Sequence, residues 1–168
     1  MIIGYGIFEI IIFLFDKPYK LLTKKTKYAV KALIALAKNP ENKPMLIAEI
    51  AKNEGLPKRF LEAILLDLKR GQILSSRMGA GGGYFLNKPA SEIMVSAVIR
   101  ILDGPIALLP CVSLNFYQRC EECKDEVTCS IREMMEKVRD ASINIMGNTS
   151  IADLMRREME LEGNSKQT

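Results

Sequence analysis

The chain contains no histidine. That absence removes the side chain most used for proton transfer near neutral pH, and with it Ser-His and Cys-His nucleophiles and every histidine metal ligand. No other pairing of nucleophile and base stands out, so an enzyme is not expected. The glycine-rich stretch Gly79 to Gly83 is not followed by Gly-Lys-Ser/Thr and opens no helix, which argues against a nucleotide-phosphate loop. No apolar run reaches the roughly 20 residues that span a bilayer. The most apolar stretch, MIIGYGIFEIIIFLF at residues 1–15, carries Glu9 and lacks the basic flank of a signal peptide. Residues 1–20 are therefore read as an apolar extension, with an added strand or helix packed on the domain and a membrane anchor as the other accounts. A cytoplasmic protein with no membrane partner is the expectation.

What is present supports one ordinary domain with an appendage: 168 residues, 48% of them hydrophobic. The charge is unevenly divided. Residues 17–88 hold 15 Lys and Arg against 5 Asp and Glu, residues 89–168 hold 9 against 13, and residues 1–16 add two acids. A basic first half joined to a mildly acidic second half points to a polyanion-binding module followed by a sensing or assembly module. A solvated lysine-rich surface is the plainer account.

In the basic half, Thr23 can cap a helix whose apolar positions Ala29, Ala32, Leu33 and Leu36 recur at three and four and end before Asn39-Pro40. Its first turn holds Lys24, Lys25 and Lys27, with Tyr28 next. Cations there oppose the helix dipole, so phosphate contact explains them better than local stability. The stretch LIAEIAKNEGLPKRFLEAILLDLKR reads as a short helix from Ile47 to Asn53, a turn at Gly55 and a second helix opened by Pro57. Phe60, Leu61, Ile64, Leu65 and Leu68 form its expected buried stripe. This is the helix-turn-helix arrangement, whose second helix meets the major groove through its N-terminal residues, here Lys58 and Arg59. An ordinary pair of antiparallel helices is the alternative. Ile73 to Met78 and Tyr84 to Lys88 then have strand character on either side of Gly79-Ala80-Gly81-Gly82-Gly83. A hairpin directly after a helix-turn-helix makes a winged helix, with Arg77 beside a wing tip stripped of side-chain bulk.

In the acidic half, Ser91 to Leu102 is read as a helix closing the winged domain and ending at Asp103-Gly104-Pro105. Ile131, Met134, Val138, Ala141 and Ile145 repeat through a helix of about five turns. A second copy of the chain is the natural cover for that stripe, the chain's own winged domain the alternative. Ser150 to Glu160 is read as a short closing helix. Between these helices lie all four cysteines, Cys111, Cys120, Cys123 and Cys129, in a C-x8-C-x2-C-x5-C pattern. Clustered thiols in a chain of this makeup suggest a metal or redox site over a disulfide framework. Soft thiolates without histidine suit an iron–sulfur cluster or zinc, and spacing alone does not separate the two. Metal-free redox thiols, or no role, also remain.

The segments LTKKTKYAVKALIALA, IAEIAKNEGLPKRFLEAILLDLK and GAGGGYFL, in this order and spacing, resemble the Rrf-two family of bacterial winged-helix transcriptional regulators, whose members include the iron–sulfur regulator IscR, the nitric oxide sensor NsrR and the cysteine-metabolism repressor CymR. The resemblance covers about Leu21 to Leu161. It implies a homodimer on a palindromic double-stranded operator. Matched by position, recognition falls to Pro57, Lys58, Arg59 and Phe60 and to the wing from Arg77 through Gly79, Ala80, Gly81, Gly82 and Gly83, with the first helix adding Lys24, Lys25, Lys27 and Tyr28. The chain has Met78 where IscR-like members tend to have arginine. The resemblance also implies three cluster ligands at Cys111, Cys123 and Cys129, and places Arg132 where IscR has a histidine. Cys120 is then the candidate fourth ligand, with Glu121, Glu122, Asp125 or Glu126 as carboxylate alternatives. The cysteine-metabolism branch implies a second possibility, a cluster-free regulator controlled by a metabolic partner enzyme or by thiol oxidation. The expected architecture is mainly α with a small β-hairpin wing: a winged helix-turn-helix domain over 21–104, a cysteine sensor loop over 105–129, and a dimerisation helix with tail over 130–168.

Overall fold

The computed structural model describes residues 22–165. The expectations for the apolar stretch 1–20 fall outside them. The described helices are α1 (Lys24–Lys38), α2 (Ile47–Glu54), α3 (Lys58–Arg70), α4 (Val95–Leu102), α5 (Ser130–Gly147) and α6 (Ile151–Ser165), with strands β1 (Leu74–Arg77) and β2 (Gly83–Leu86) between α3 and α4. This is the mainly helical, winged architecture that the sequence predicts.

α1 begins where the Thr26 backbone N–H donates to the Thr23 hydroxyl at 3.4 Å, and it stops at Asn39 because the following proline disfavours helical backbone there. Ala29, Ala32 and Ala35 lie on its buried face beside Leu33 and Leu36. Small side chains let neighbours approach closely, and α1 packs against α2, α3, α4, α6 and β2. It is the centre of the core. α2 ends at Gly55, whose left-handed backbone (φ 63°) turns the chain, and the Leu56 N–H closes back on the Ala51 carbonyl at 2.9 Å. Pro57 sits one position before the first helical residue of α3, and its carbonyl accepts from the N–H groups of Phe60 (3.1 Å) and Leu61 (3.0 Å). α3 buries Leu61, Ile64, Leu65 and Leu68. Phe60, expected on that stripe, is instead exposed, since burying Leu61 and Leu65 turns the preceding residue outward.

The hairpin is shorter than its strand-like sequence. The pairing runs Leu74↔Leu86, Ser75↔Phe85, Ser76↔Tyr84 and Arg77↔Gly83. Its base is fixed to the domain by Met45, which exchanges two 2.9 Å backbone hydrogen bonds with Tyr84. The glycines that follow Arg77 divide into two kinds. A Cβ on Gly83 (φ 145°) would lie 2.3 Å from the Met45 carbonyl oxygen, and one on Gly82 would lie 2.4 Å from that of Arg77. Gly79 and Gly81 face open space.

The predicted helix from Ser91 to Leu102 is interrupted. A 3₁₀ turn at Ala90–Glu92 leads into extended backbone, because Ile93 and Val95 bond to the chain near Ser150: Ile151 N–H to the Ile93 carbonyl and Val95 N–H to the Thr149 carbonyl, both 2.9 Å. α6 then caps itself reciprocally. The Asp153 N–H donates to the Ser150 hydroxyl (3.1 Å), and the Ser150 N–H donates back to the Asp153 carboxylate (3.0 Å). α6 runs further than the predicted short helix, returning over α1 through Ile151, Leu154 and Met155 and pairing Glu158 with Lys38 at 3.1 Å. α5 buries no residue. Its expected stripe leaves Ile131 59%, Met134 50% and Ile145 66% exposed, so the chain's own winged domain does not cover it.

Gly83→Ala should destabilise the fold by about 3 kcal/mol through the clash with Met45, whereas Gly79→Ala, strained only in φ, should cost about 1 kcal/mol. Urea unfolding of the two variants against the parent measures the difference.

Candidate nucleic-acid interface and thiol centre

Helix packing brings the first turns of α1 and α3 to one surface. Tyr28 and Phe60 meet edge to face, with ring centroids 5.8 Å apart and planes at 88°. Around this contact Lys24, Lys27, Pro57, Lys58 and Arg59 are all exposed. Among the described residues none of Lys24, Lys27, Lys58 or Arg59 has a carboxylate partner, and neither does Arg77 on the hairpin. Lys25 differs. Its ammonium is held at 2.7 Å by Asp67 of α3, which also pairs with Arg70 at 3.6 Å. A cation so engaged ties α1 to α3 and is less available to a phosphate. On the wing, Arg77, Gly79, Ala80 and Gly81 are exposed, while Gly82 is buried and Gly83 half-buried against Met45. The need for glycine at these last two positions is met by the fold itself.

The sequence did not reveal what holds α1 in place. Asp103, read only as the end of a helix, accepts from the Thr23 backbone N–H at 2.9 Å and from the Thr23 hydroxyl at 2.6 Å. The carboxylate thereby satisfies a donor at the start of α1, where negative charge is favoured. Gly104 (φ 91°) follows, and from there the chain enters the cysteine segment. The basic end of α1 and the root of that segment therefore share one carboxylate. A separation of 80 residues leaves no local signal for the pair.

Within the segment, Cys111 lies in the 3₁₀ turn Pro110–Val112, buried with Ala107 and Val112 and packed against Leu109, Cys120 and Met135. Two arginines of α5 hold this turn: Arg132 Nε donates to the Cys111 carbonyl at 3.3 Å, and Arg139 Nη1 to the Val112 carbonyl at 2.6 Å. A backbone bond from the Cys123 N–H to the Cys120 carbonyl at 3.3 Å closes a turn over Cys120 to Cys123, and the Cys123 thiol donates to the Asp125 carbonyl at 3.3 Å. Cys129 is the N-cap of α5, its Sγ accepting from the Arg132 N–H at 3.5 Å. All four thiols are free. They influence one another electrostatically, Cys111 with Cys120 and Cys129, and Cys123 with Cys129 and Cys120. Even so, no three of the Cys, Asp and Glu side chains among the described residues are gathered closely enough to enclose an ion.

The environments differ. Burial pushes the Cys111 thiol above its ordinary value, and the neighbouring Cys120 adds to this. Cys123 is also raised, first by desolvation and then by its hydrogen bond with Cys129. Cys129 is lowered, first by the Arg132 backbone N–H at the helix N-terminus, with help from Cys123, the Ile131 N–H and the Arg132 guanidinium. The donor set is thus four soft sulfurs, one biased toward thiolate, with a cation alongside. That chemistry fits an iron–sulfur cluster or zinc in kind, while the sulfurs form neighbouring contacts rather than a closed cage.

A three-helix domain with a paired hairpin, an exposed second helix of a helix-turn-helix and unpaired cations around it is a winged-helix protein of the DNA-binding class. Residues 22–157 match the family model described as Rrf2, iron-dependent transcriptional regulator, and the chain belongs to that family. A Rhodobacter capsulatus HTH-type transcriptional regulator described as rrf2-like is 40% identical over 138 residues, 80% of this chain and 92% of that protein. The HTH-type transcriptional regulator IscR of Serratia proteamaculans is 29% identical over 137 residues, covering 82% of this chain and 80% of that one. Among solved structures, CymR, the global cysteine regulator of B. subtilis, superposes with a TM-score of 0.68 at 26% identity, over 81% of this chain and 96% of that one.

In reduced, metal-free protein, iodoacetamide should modify Cys129 first and at lower pH than Cys123, because the Cys129 thiolate persists as pH falls below the range where Cys123 is already protonated. Cys111 should react last, being both buried and raised. Peptide mass spectrometry across a pH series reads all three.

Proposed function

We propose that this chain is a homodimeric, sequence-specific DNA-binding regulator whose cysteine segment reports iron–sulfur or redox status through a bound cluster. The observation that carries this reading is the position of the thiols. Their segment starts at Asp103, which anchors the basic end of α1, and finishes at Cys129, which caps α5. Cys111, Cys123 and Cys129 would hold the cluster with Cys120 as fourth sulfur, and the cluster would supply a redox- and oxygen-sensitive charge at that place. Arg132 would balance the negative charge of a thiolate-ligated centre. The uncovered stripe of α5 supports a two-fold partner, which would present two copies of α3 to a palindrome. Pro57, Lys58, Arg59 and Phe60 are the proposed base-reading surface. Lys24, Lys27 and Tyr28 are proposed to meet the backbone, Lys25 to orient α1 through Asp67, and Arg77 with the open glycines Gly79 and Gly81 to approach the duplex from the wing.

A second reading has its own support. The sulfurs do not form a closed cage, and one structural relative is a cysteine regulator. In that reading the thiols act without metal, by oxidation or through a partner enzyme.

Purification without oxygen separates the two. The cluster reading expects a coloured protein with iron and sulfide in stoichiometric amount, sedimenting at twice the chain mass, which loses its colour when Cys123→Ala or Cys129→Ala is introduced. A colourless preparation free of iron and zinc that still binds its operator tightly would overturn it in favour of the metal-free reading.

The DNA surface makes a separate demand. Lys24→Ala or Lys27→Ala should lower the slope of log affinity against log salt by about one each, while Lys25→Ala should change it less because Asp67 already neutralises that cation. Arg59→Ala should cost about 1–3 kcal/mol on the preferred duplex and relax sequence preference, as competition binding with randomised duplexes would show.

A further inference from the structure

The tip of the hairpin carries a feature that phosphate contact does not explain. From residue 78 to residue 83 the sequence is Met-Gly-Ala-Gly-Gly-Gly, so Met78 is the one side chain there longer than a methyl group. It is 96% exposed, more than any other large apolar side chain among the described residues. The backbone beneath it is fixed by hydrogen bonds. Arg77 pairs with Gly83, the Gly82 N–H closes on the Gly79 carbonyl at 2.9 Å, and Met45 fixes Tyr84 at the hairpin base. Gly79 (φ 91°) and Gly81 (φ 73°) take left-handed backbone with empty space where a Cβ would point. Met78 thus projects from a fixed turn with nothing but Ala80 and bare backbone beside it, and with the exposed Arg77 cation next to it.

Leaving a methionine fully hydrated forgoes the stabilisation that burial of such a side chain contributes. A protein partner would need a contiguous apolar patch, and a single side chain amid glycines does not make one. A DNA groove asks for less. Proteins that enter the minor groove commonly insert one apolar wedge at a base step and hold the flanking phosphates with cations. An unbranched thioether is narrow and flexible enough for that role, and the glycines remove the bulk that would stop the tip short of the groove floor.

We infer that Met78 is the specificity-determining contact of the wing: an apolar side chain that enters the minor groove and selects operators with an easily unstacked pyrimidine–purine step at that place. Phosphate contacts from Arg77 position the tip, and Met78 reads deformability in place of base-edge hydrogen bonds. This rests on the wing meeting DNA as proposed above.

The test uses the full chain, purified without oxygen, and duplexes enriched by it from a randomised library. Affinity and enrichment are compared for the parent, Met78→Ala, Met78→Leu and Arg59→Ala. Met78→Ala should weaken binding to the enriched duplex about tenfold, the equivalent of losing most of one buried apolar side chain. It should leave the salt slope unchanged and abolish the preference for a pyrimidine–purine step beneath the wing. Met78→Leu should keep both affinity and preference. Because Met78 touches nothing else, thermal unfolding should not move. Met78→Ala that binds within about twofold of the parent with the same step preference, while Arg59→Ala loses affinity, overturns the wedge and leaves the α3 surface standing. Loss in neither variant, or no enrichment by the parent, overturns the DNA surface and the wedge together.

Discussion

The structure depends on the burial of α1. Its alanines let four helices and a strand close in on one short segment, and the same packing forces its basic first turn to lie beside the first turn of α3. A bulkier residue at Ala29 or Ala32, both wholly buried, would push these elements apart and displace the cations that α1 and α3 present together. Core packing and the proposed nucleic-acid surface are therefore one constraint. The Lys25–Asp67 pair and the Tyr28–Phe60 contact add fixed orientation to a register already chosen by apolar burial.

In the proposed reading, a change at the thiols would have a mechanical route to that surface. One end of the cysteine segment is bound to the start of α1 through Asp103 and Thr23. The other end is α5, whose first turn is capped by Cys129 and whose last turn runs into the backbone bonds joining Thr149 and Ile151 to the extended stretch before α4. α5 has no fully buried residue within the chain: Met135 packs on the Cys111 turn, Arg132 and Arg139 grip its loop carbonyls, and the helix also contacts α4. In the proposed reading a change at the thiols would act on α5 and on the partner helix that covers its stripe together.

Much of the fold was legible because its signals are local. Thr23 before a three-and-four repeat, Gly55 after Asn53-Glu54, and the apolar stripe of α3 report the helix-turn-helix directly, and the glycine-rich interruption reports the hairpin. The departures came from long-range demands. Ser91 to Leu102 has helical periodicity throughout, yet hydrogen bonds to the Ser150 region pull residues 93 and 94 into extended backbone. Phe60 fits an apolar stripe by spacing, but the faces chosen by Leu61 and Leu65 leave it outside. For the candidate site, residue types were readable and relations were not: Asp67 neutralising Lys25, Asp103 anchoring α1, and Met45 dictating glycine at position 83 all join residues far apart in sequence.

The sequence by itself determined the class of protein, the basic surface's composition, the stock of soft sulfur ligands and the exclusion of histidine chemistry, since each of these follows from residue identity and short-range spacing. Only the tertiary structure decided which lysines remain unpaired, which glycines serve the wing tip and which serve the fold, that Cys129 is the thiol biased toward thiolate, and that Met78 stands alone at the tip. These depend on desolvation, ion pairing and steric approach between distant segments, quantities that exist only once the chain has closed around α1.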